Sequence, residues 1–265
     1  MSDTLIKDKR DDGILVLTLN RPQAMNCLNF EMIRALKREA EEAAFDDAVR
    51  VVIITGAAPG PGKKTAFSVG ADLTERRGMS ETEVRRFIAA IRETMISVEN
   101  IRVPVIAAIN GFALGGGTEL ALACDLRVAS STAVMGLTET SLAVIPGGGG
   151  TQRLPRIVGV AKAKELIYTA RRIDAHEALR IGLVNRVAEP EHLMEEASSL
   201  AGEIAANGPI AVQQAKFALN YGTEISLGVA LPLESMAYAH TIPTKDRLEA
   251  LAAFAEKRKP VFKGE

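Results

Sequence analysis

The sequence predicts an α/β fold with a helical C-terminal extension, on three observations. Strand-like and helix-like segments alternate through the first two-thirds of the chain. The last third, after Pro190, reads almost wholly as helix, punctuated by Asn207-Gly-Pro209 and Ile242-Pro243. The 265 residues are 47% hydrophobic and 25% charged, enough apolar surface to offset the ordering entropy of a sizeable core. A boundary near residue 205 divides a core, 1–205, from a helical region, 206–265.

The elements follow in order. Residues 13–20 alternate apolar with small or polar side chains, as a half-buried strand does. From Asn29 to Phe45, apolar residues at Phe30, Ile33, Leu36, Ala40 and Ala44 keep a helical spacing, with Asn29 as cap. Val49–Thr55 is β-branched and ends at Gly56, a buried strand, and a glycine- and proline-rich loop follows. Ser80 with Glu83 spells a capping box opening a helix to about Asn100. Pro104–Ile109 is a strand, Gly115–Cys124 a short helix, and 126–129 and 134–136 short strands. Asp174 to Glu177 reads as a second capping box, and 184–187 as the last strand.

Charge and composition exclude several function classes. With 32 basic and 33 acidic residues the net charge is −1, leaving no global field for nucleic acid or anionic lipid. No Trp, three Tyr and eight Phe argue against a base-stacking surface. Cys27 and Cys124 are too few for a disulfide framework or a four-ligand zinc site, and suit a reducing compartment. No apolar run reaches the ~18 residues of a membrane span. The opening MSDTLIKDKRDDG reads as no leader, so the expected location is cytoplasmic.

Two glycine clusters stand out, Gly115–Gly117 and Gly147–Gly150. A dinucleotide fingerprint fails at Leu120, Gln152 and Arg153, where glycine is required, and no Lys-Ser/Thr follows for a P-loop. Two readings stay open: tight turns, or backbone N–H groups converging on a developing oxyanion, with the bend at Gly70 as the second donor segment. Glu119 and Glu139 each sit among apolar neighbours, which makes them general acid/base candidates, or else capping or ion-paired side chains. His176, His192 and His240 lack metal-ligand spacing and read as surface or structural. Neither a Gly-x-Ser-x-Gly elbow nor His-Glu-x-x-His is present.

NRPQAMNCLN (20–29), AFSVGADL (66–73), PVIAAINGFALGGGTELALACDLRVAS (104–130), MGLTETSLAVIPGGGGTQRLPRIVG (135–159) and EALRIGLVNRV (177–187) resemble the crotonase, or enoyl-CoA hydratase/isomerase, superfamily. The ending, 241–265, is similar to the branch containing methylglutaconyl-CoA hydratase, which is also described as binding AU-rich RNA. The resemblance implies a spiral core of ββα units and a C-terminal helical region that drives trimer formation, with hexamers as dimers of trimers. It implies an acyl-CoA substrate whose thioester carbonyl meets the N–H groups of Ala71 and Gly116, with Glu119 and Glu139 as the two catalytic carboxylates. Along the substrate and its CoA moiety it implies Ala24, Met25 and Asn26, then Ala66, Ser68, Gly70, Asp72, Leu73 and Thr74. Gly115 belongs beside the thioester, and Gly147 where the family holds the reacting water. The basic tail, Lys259, Phe262 and Lys263, is expected to contact CoA from its own or a neighbouring subunit. One departure is Thr74, where many hydratases carry lysine; Lys63, Lys64 or Arg76 are the available substitutes.

The expected reaction is addition of water across the 2,3-double bond of a 2-enoyl-CoA, in fatty-acid or branched-chain amino-acid (leucine) degradation. Glu119 is expected to activate water and Glu139 to deliver the proton to C2, with no metal or redox cofactor. The alternatives are a Δ3,Δ2-enoyl-CoA isomerase, a non-catalytic CoA-binding scaffold, and a methylglutaconyl-CoA hydratase that also binds RNA. RNA binding is not expected as a principal function. The helix after the first strand carries Arg34, Lys37 and Arg38 against Glu31, Glu39, Glu41, Glu42, Asp46 and Asp47, a face that repels phosphate.

Overall fold

The computed structural model describes residues 4–60 and 62–265. Met1–Asp3, at the head of the segment read as carrying no leader, and Pro61, in the glycine–proline loop, lie outside the described residues.

An antiparallel pair, β1 (Leu5–Lys9) and β2 (Ile14–Leu19), opens the chain. β1 escapes sequence reading because Lys7, Asp8 and Lys9 look solvated, and they are: it is the charged edge strand of its sheet. After a 3₁₀ turn at Pro22–Ala24 comes α1 (Phe30–Ala43), capped as expected by Asn29, whose Oδ1 accepts from Met32 N at 3.0 Å. One unit is then repeated. β3 (Val51–Gly56) and β4 (Ala66–Ser68) lead into α2 (Leu73–Arg76) and α3 (Glu81–Glu99), the latter opened by the Ser80–Glu83 capping box. β5 (Val105–Ile109) and β6 (Phe112–Leu114) lead into α4 (Gly116–Ala123). β7 (Leu126–Ser130) and β8 (Val134–Gly136) lead into a 3₁₀ turn, Glu139–Leu142, then α5 (Gly150–Val158) and α6 (Val160–Tyr168).

The first strand of each unit joins a six-stranded sheet of order β1-β2-β3-β5-β7-β10, parallel from β2 onward. The second joins a four-stranded sheet, β4-β6-β8-β9, whose first three strands run parallel. This is the spiral of ββα units that the resemblance implied. β9 (Ile173–Asp174), α7 (Ala175–Arg180) and β10 (Arg186–Ala188) close it. β10 starts two residues after its expected place, because Asn185 occupies the preceding rung, accepting from Arg127 N through its side chain. At α7, Asp174 caps Glu177 N, but Glu177 turns to Arg180, so the reciprocal half of the expected box is replaced by an ion pair.

Strand periodicity divides the core between two faces. Leu15, Leu17, Val52, Ile54, Val105 and Ala107 point into the main cluster under α1, α3 and α4. Their neighbours Ile14, Val16, Val51, Ile53 and Ile106 point the other way, against Leu193, Ala197, Leu200 and Ala201 of α8 (Leu193–Ala205). Beyond α8 this two-sided burial ends. α9 (Pro209–Gly222), α10 (Leu227–Thr241) and α11 (Lys245–Glu256) leave Leu219, Leu227, Met236, Tyr238 and Phe254 between 64% and 85% exposed. The extension is moored by the buried Lys216, whose Nζ donates to Asp125 Oδ2 (2.7 Å) and the Val103 carbonyl (3.0 Å).

Candidate active site

The site forms where successive ββα units turn from strand to helix. Gly70 makes the bend after β4 with φ +84°, and a Cβ there would stand 2.6 Å from Gly116 N, so only glycine lets the two segments approach. Leu28 bridges Ala71 in parallel: Leu28 N donates to Gly70 O (2.7 Å) and Asp72 N donates to Leu28 O (2.9 Å). In such a bridge the N–H of the middle residue points away from its partner, which turns Ala71 N–H toward α4. A Cβ placed on Gly116 would lie 3.6 Å from Ala71 N, so the two N–H groups stand side by side on the wall of the cleft. Among the described residues neither donates to a main-chain carbonyl. Gly116 opens α4, so its N–H is a free helix-end donor at the positive end of the dipole. Gly117 serves packing, since a Cβ there would meet the Ser68 carbonyl at 1.9 Å.

Two carboxyl groups face the same cleft, of about 810 Å³, and their surroundings differ. Glu119, in the first turn of α4, is 3% exposed; its Oε1 accepts from Gly148 N and Gly150 N, both at 2.8 Å. Burial raises its pKa above the usual carboxylate value, opposed by the N–H groups of Gly150 and Gly148 and by the charge of Arg153. Glu139 begins the 3₁₀ turn after β8, with its carboxyl over Gly115: a Cβ there would lie 3.3 Å from Glu139 Oε1. Its Oε2 is buried without a hydrogen-bond partner. Burial first, then the nearby Glu119 charge, push the Glu139 pKa up to about 7. One carboxyl is held by donors and the other is left in need of a proton.

The remaining walls were only partly foreseen. Ile88, Ile91 and Arg92 of α3 line one side, and Leu142, Val144 and Ile145 the other. The α3 wall has a sequence signal: Ile88 and Arg92 run one step beside the buried stripe Phe87, Ile91 and Met95. The loop from Leu142 to Pro146 has none, because its apolar residues follow no period.

The residues implied for CoA divide into three groups. Leu73, Gly115 and Gly147 line the cleft with Arg76, and Thr74 is exposed beside it. Asn26, Ser68 and Asp72 turn their side chains inward instead. Asn26 and Ser68 are fully buried: Asn26 ties Arg21 N to the carbonyls of Ala57 and Ala66, and Ser68 Oγ accepts from Gly70 N. Asp72 caps α2 and pairs with Arg21 at 3.0 Å. These three shape the loop rather than touch a ligand through their side chains. Ala66 is buried in β4, and Ala24 and Met25 are half-buried at the 3₁₀ turn, where Met25 and Asn26 take left-handed φ values of 51° and 53°. The third group is not brought to this cleft. The Phe262 carbonyl accepts from Arg50 at 2.6 Å, Lys263 N donates to Asp246 of α11 and the Lys259 carbonyl accepts from Arg258, and none of the three lines the cleft. Of the candidate replacements for the missing lysine, Lys64 lies over the Phe112 ring and only Arg76 lines the cleft.

Comparison with known proteins agrees with this geometry. A family model described as enoyl-CoA hydratase/isomerase matches residues 9–265. The crystal structure of an enoyl-CoA hydratase from Bacillus anthracis superposes with a TM-score of 0.95 at 50% identity, covering 99% of this chain and 100% of that one. Human mitochondrial methylglutaconyl-CoA hydratase is 48% identical over 262 residues, 97% of this chain and 76% of that protein. The Bacillus subtilis protein YngF is 53% identical over the full length of both chains. The chain belongs to the enoyl-CoA hydratase/isomerase family.

Proposed function

We propose that this protein is an enoyl-CoA hydratase, a hydro-lyase that adds water across the 2,3-double bond of a 2-enoyl-CoA to give a 3-hydroxyacyl-CoA. The observation that carries the reading is the pair of unlike carboxyls, Glu119 and Glu139, beside two free N–H donors. The thioester oxygen accepts from Ala71 N and Gly116 N, which hold the negative charge that develops as water attacks C3, each worth about 3 kcal/mol. Glu119, its charge favoured by its own two donors against the burial that raises its pKa, takes a proton from the attacking water in its ionised form. Glu139, its pKa pushed up to about 7, gives a proton to C2 in its protonated form, and exchange with solvent resets the pair. Hydration requires both transfers and uses both groups; a Δ3,Δ2-isomerase can work with one. This chemistry calls for no metal or redox cofactor.

The rest of the reading follows from the same frame. The CoA moiety runs past Ala24, Met25 and the Ala66–Thr74 segment, with Arg76 supplying the cation that Thr74 lacks. The apolar faces of α9–α11 support an oligomerisation region, 206–265, in a trimer or a dimer of trimers. In that assembly Lys259, Phe262 and Lys263 serve a neighbouring subunit's site. RNA is not proposed as a ligand: on α1, Glu39 and Glu42 pair with Lys7 and Lys37 with Glu93, so the helix offers little free positive charge. No helix among the described residues is long and apolar enough to cross a membrane, and two buried unpaired cysteines suit the cytoplasm.

The test is loss of conjugated-thioester absorbance across a panel of 2-enoyl-CoA esters, including crotonyl-CoA and 3-methylglutaconyl-CoA. Hydration of at least one member at enzymatic rates is expected, and the preferred member tells linear from branched or carboxylated acyl groups. Double-bond migration in 3-enoyl-CoA without hydration of any 2-enoyl ester would move the assignment to isomerase.

A further inference from the structure

We propose that Arg153 is a positioning residue for Glu119, clamping the Gly148 carbonyl and thereby fixing the Gly148 and Gly150 N–H groups on the catalytic carboxylate. The inference rests on the role given to Glu119 above. Arg153 lies in the first turn of α5 and is not among the residues lining the cleft. All three nitrogens of its guanidinium donate hydrogen bonds. Nε and the second terminal nitrogen grip Glu99 of α3 in a bidentate pair, at 3.0 and 2.6 Å, and the first terminal nitrogen donates to Gly148 O at 3.0 Å. The Arg153 side chain is 14% exposed and that of Glu99 40%, so the clamp is shielded on its arginine side and open to water on its carboxylate side.

Gly148 is therefore pinned at both ends, its N–H on Glu119 and its carbonyl on Arg153. The segment 147–150 is all glycine and has no side chains with which to hold itself, so its ordering must come from outside. The backbone leaves room for that outside group: Gly149 takes φ +115°, and a Cβ there would stand 2.1 Å from the Arg153 nitrogen. Glu99 sets the fork and ties the loop to the end of α3, the helix whose Ile88 and Ile91 wall the cleft. Lysine cannot copy this arrangement, since a point ammonium has no planar fork to share between a carboxylate and a carbonyl. Arg153 also contributes positive charge that favours ionised Glu119. The other charged groups facing the cleft or the clamp are Glu139 on the 3₁₀ turn, Arg76 on α2, Arg92 on α3 and Glu99 itself.

The test compares Arg153→Met, Arg153→Lys and Glu99→Gln with wild type in two measurements. The first is kcat and KM for crotonyl-CoA hydration between pH 5 and 9, with melting temperatures to place the assay well below unfolding. Arg153→Met is expected to lower kcat by about tenfold or more with KM changed less than about threefold, as displaced catalytic groups do. Its rising pH limb should move to higher pH. Arg153→Lys should lose kcat while keeping the limb near its wild-type position, because charge survives and the fork does not. The second measurement is a carbon-13 NMR titration of Glu119 in the substrate-free protein, where Arg153→Met should raise the carboxyl pKa whatever the reaction catalysed. If Arg153→Met fails to fold, Arg153→Lys and Glu99→Gln carry the test, both with a lowered kcat at normal KM. Unchanged kcat in folded variants together with an unmoved Glu119 titration overturns the inference. A wild type that hydrates nothing overturns the hydratase reading instead, and the titration still judges Arg153.

Discussion

The β5–β6–α4 and β7–β8 units share a topology and each delivers one glutamate to the cleft, yet they deliver it in different states. In the first, α4 follows the strand directly, and Glu119 reaches across to the N-terminus of α5, where Gly148 and Gly150 N–H groups receive it. In the second, a 3₁₀ turn follows the strand, and the Glu139 carboxyl has its own backbone N–H as a donor, an unpartnered Oε2 and a neighbouring negative charge. The difference shows how one repeated unit yields carboxyls of unlike proton affinity, as the proposed base and acid require: the strand places the carboxyl, and what lies at the end of its reach sets its proton affinity.

The sharpest way to break this comparison is to remove each carboxyl in turn. Glu119→Gln and Glu139→Gln should each lower hydration by about 10²-fold or more, the usual weight of a general acid or base. The double variant should fall little further if, as proposed, both groups serve one water and one double bond. Rate measurements on 2-enoyl-CoA decide it: either single variant with near-normal turnover, or cleanly multiplicative losses, would end the shared-site reading.

A smaller loss is expected where the donors rather than the carboxyls are disturbed. Gly70→Ala forces a Cβ to within 2.6 Å of Gly116 N in a backbone region that disfavours side chains, so the two N–H groups must separate. Turnover should drop by about tenfold, with circular dichroism unchanged, if an N–H pair polarises the thioester. A folded variant of full activity would take the donors out of the mechanism and leave only the two carboxyls.

The pH profile sharpens the contrast without any loss of a residue. Activity should rise as Glu119 ionises and fall again as Glu139, with a pKa of about 7, gives up its proton. The falling limb belongs to Glu139 and should be missing from the residual activity of Glu139→Gln. A falling limb that persists there would assign it to another group.

Much of this was legible beforehand and the reason is local. Asn29, Ser80 and Glu83 write their caps into the sequence, and Phe87, Ile91 and Met95 write their face. The glycines and glutamates of the site were found by composition in context, because a carboxylate among apolar residues and a glycine run before a helix are both uncommon. β4 and β6, three residues each, escape the sequence because they sit inside glycine-rich stretches that read as loop or turn, whereas β8, equally short, is legible as a strand at 134–136. The inward turn of Asn26, Ser68 and Asp72 and the clamp at Arg153 were hidden for another reason. They depend on contacts between residues such as Glu99 and Arg153, which lie 54 positions apart.

The smallest effect separates the two carboxyls by stability rather than rate. Glu139 has a folded-state pKa of about 7, above its ordinary value of 4.5, so the native state holds this proton more tightly than the unfolded chain does. Its contribution therefore favours folding at low pH and is lost as pH rises from about 4.5 through 7, leaving a buried carboxylate with an unpartnered Oε2 above that range. Glu139→Gln removes the charge. Relative to wild type, its melting temperature should gain on going from pH 5 to pH 8, by about 2–4 °C for each kcal/mol recovered in a chain of this size. Glu119→Gln should gain less, because the Gly148 and Gly150 donors already compensate the Glu119 charge and lose strength when it becomes an amide. Differential scanning calorimetry of the three proteins at both pH values measures this. Equal gains for the two variants, or none for Glu139→Gln, would mean that the donors at α5 do not distinguish the carboxyls.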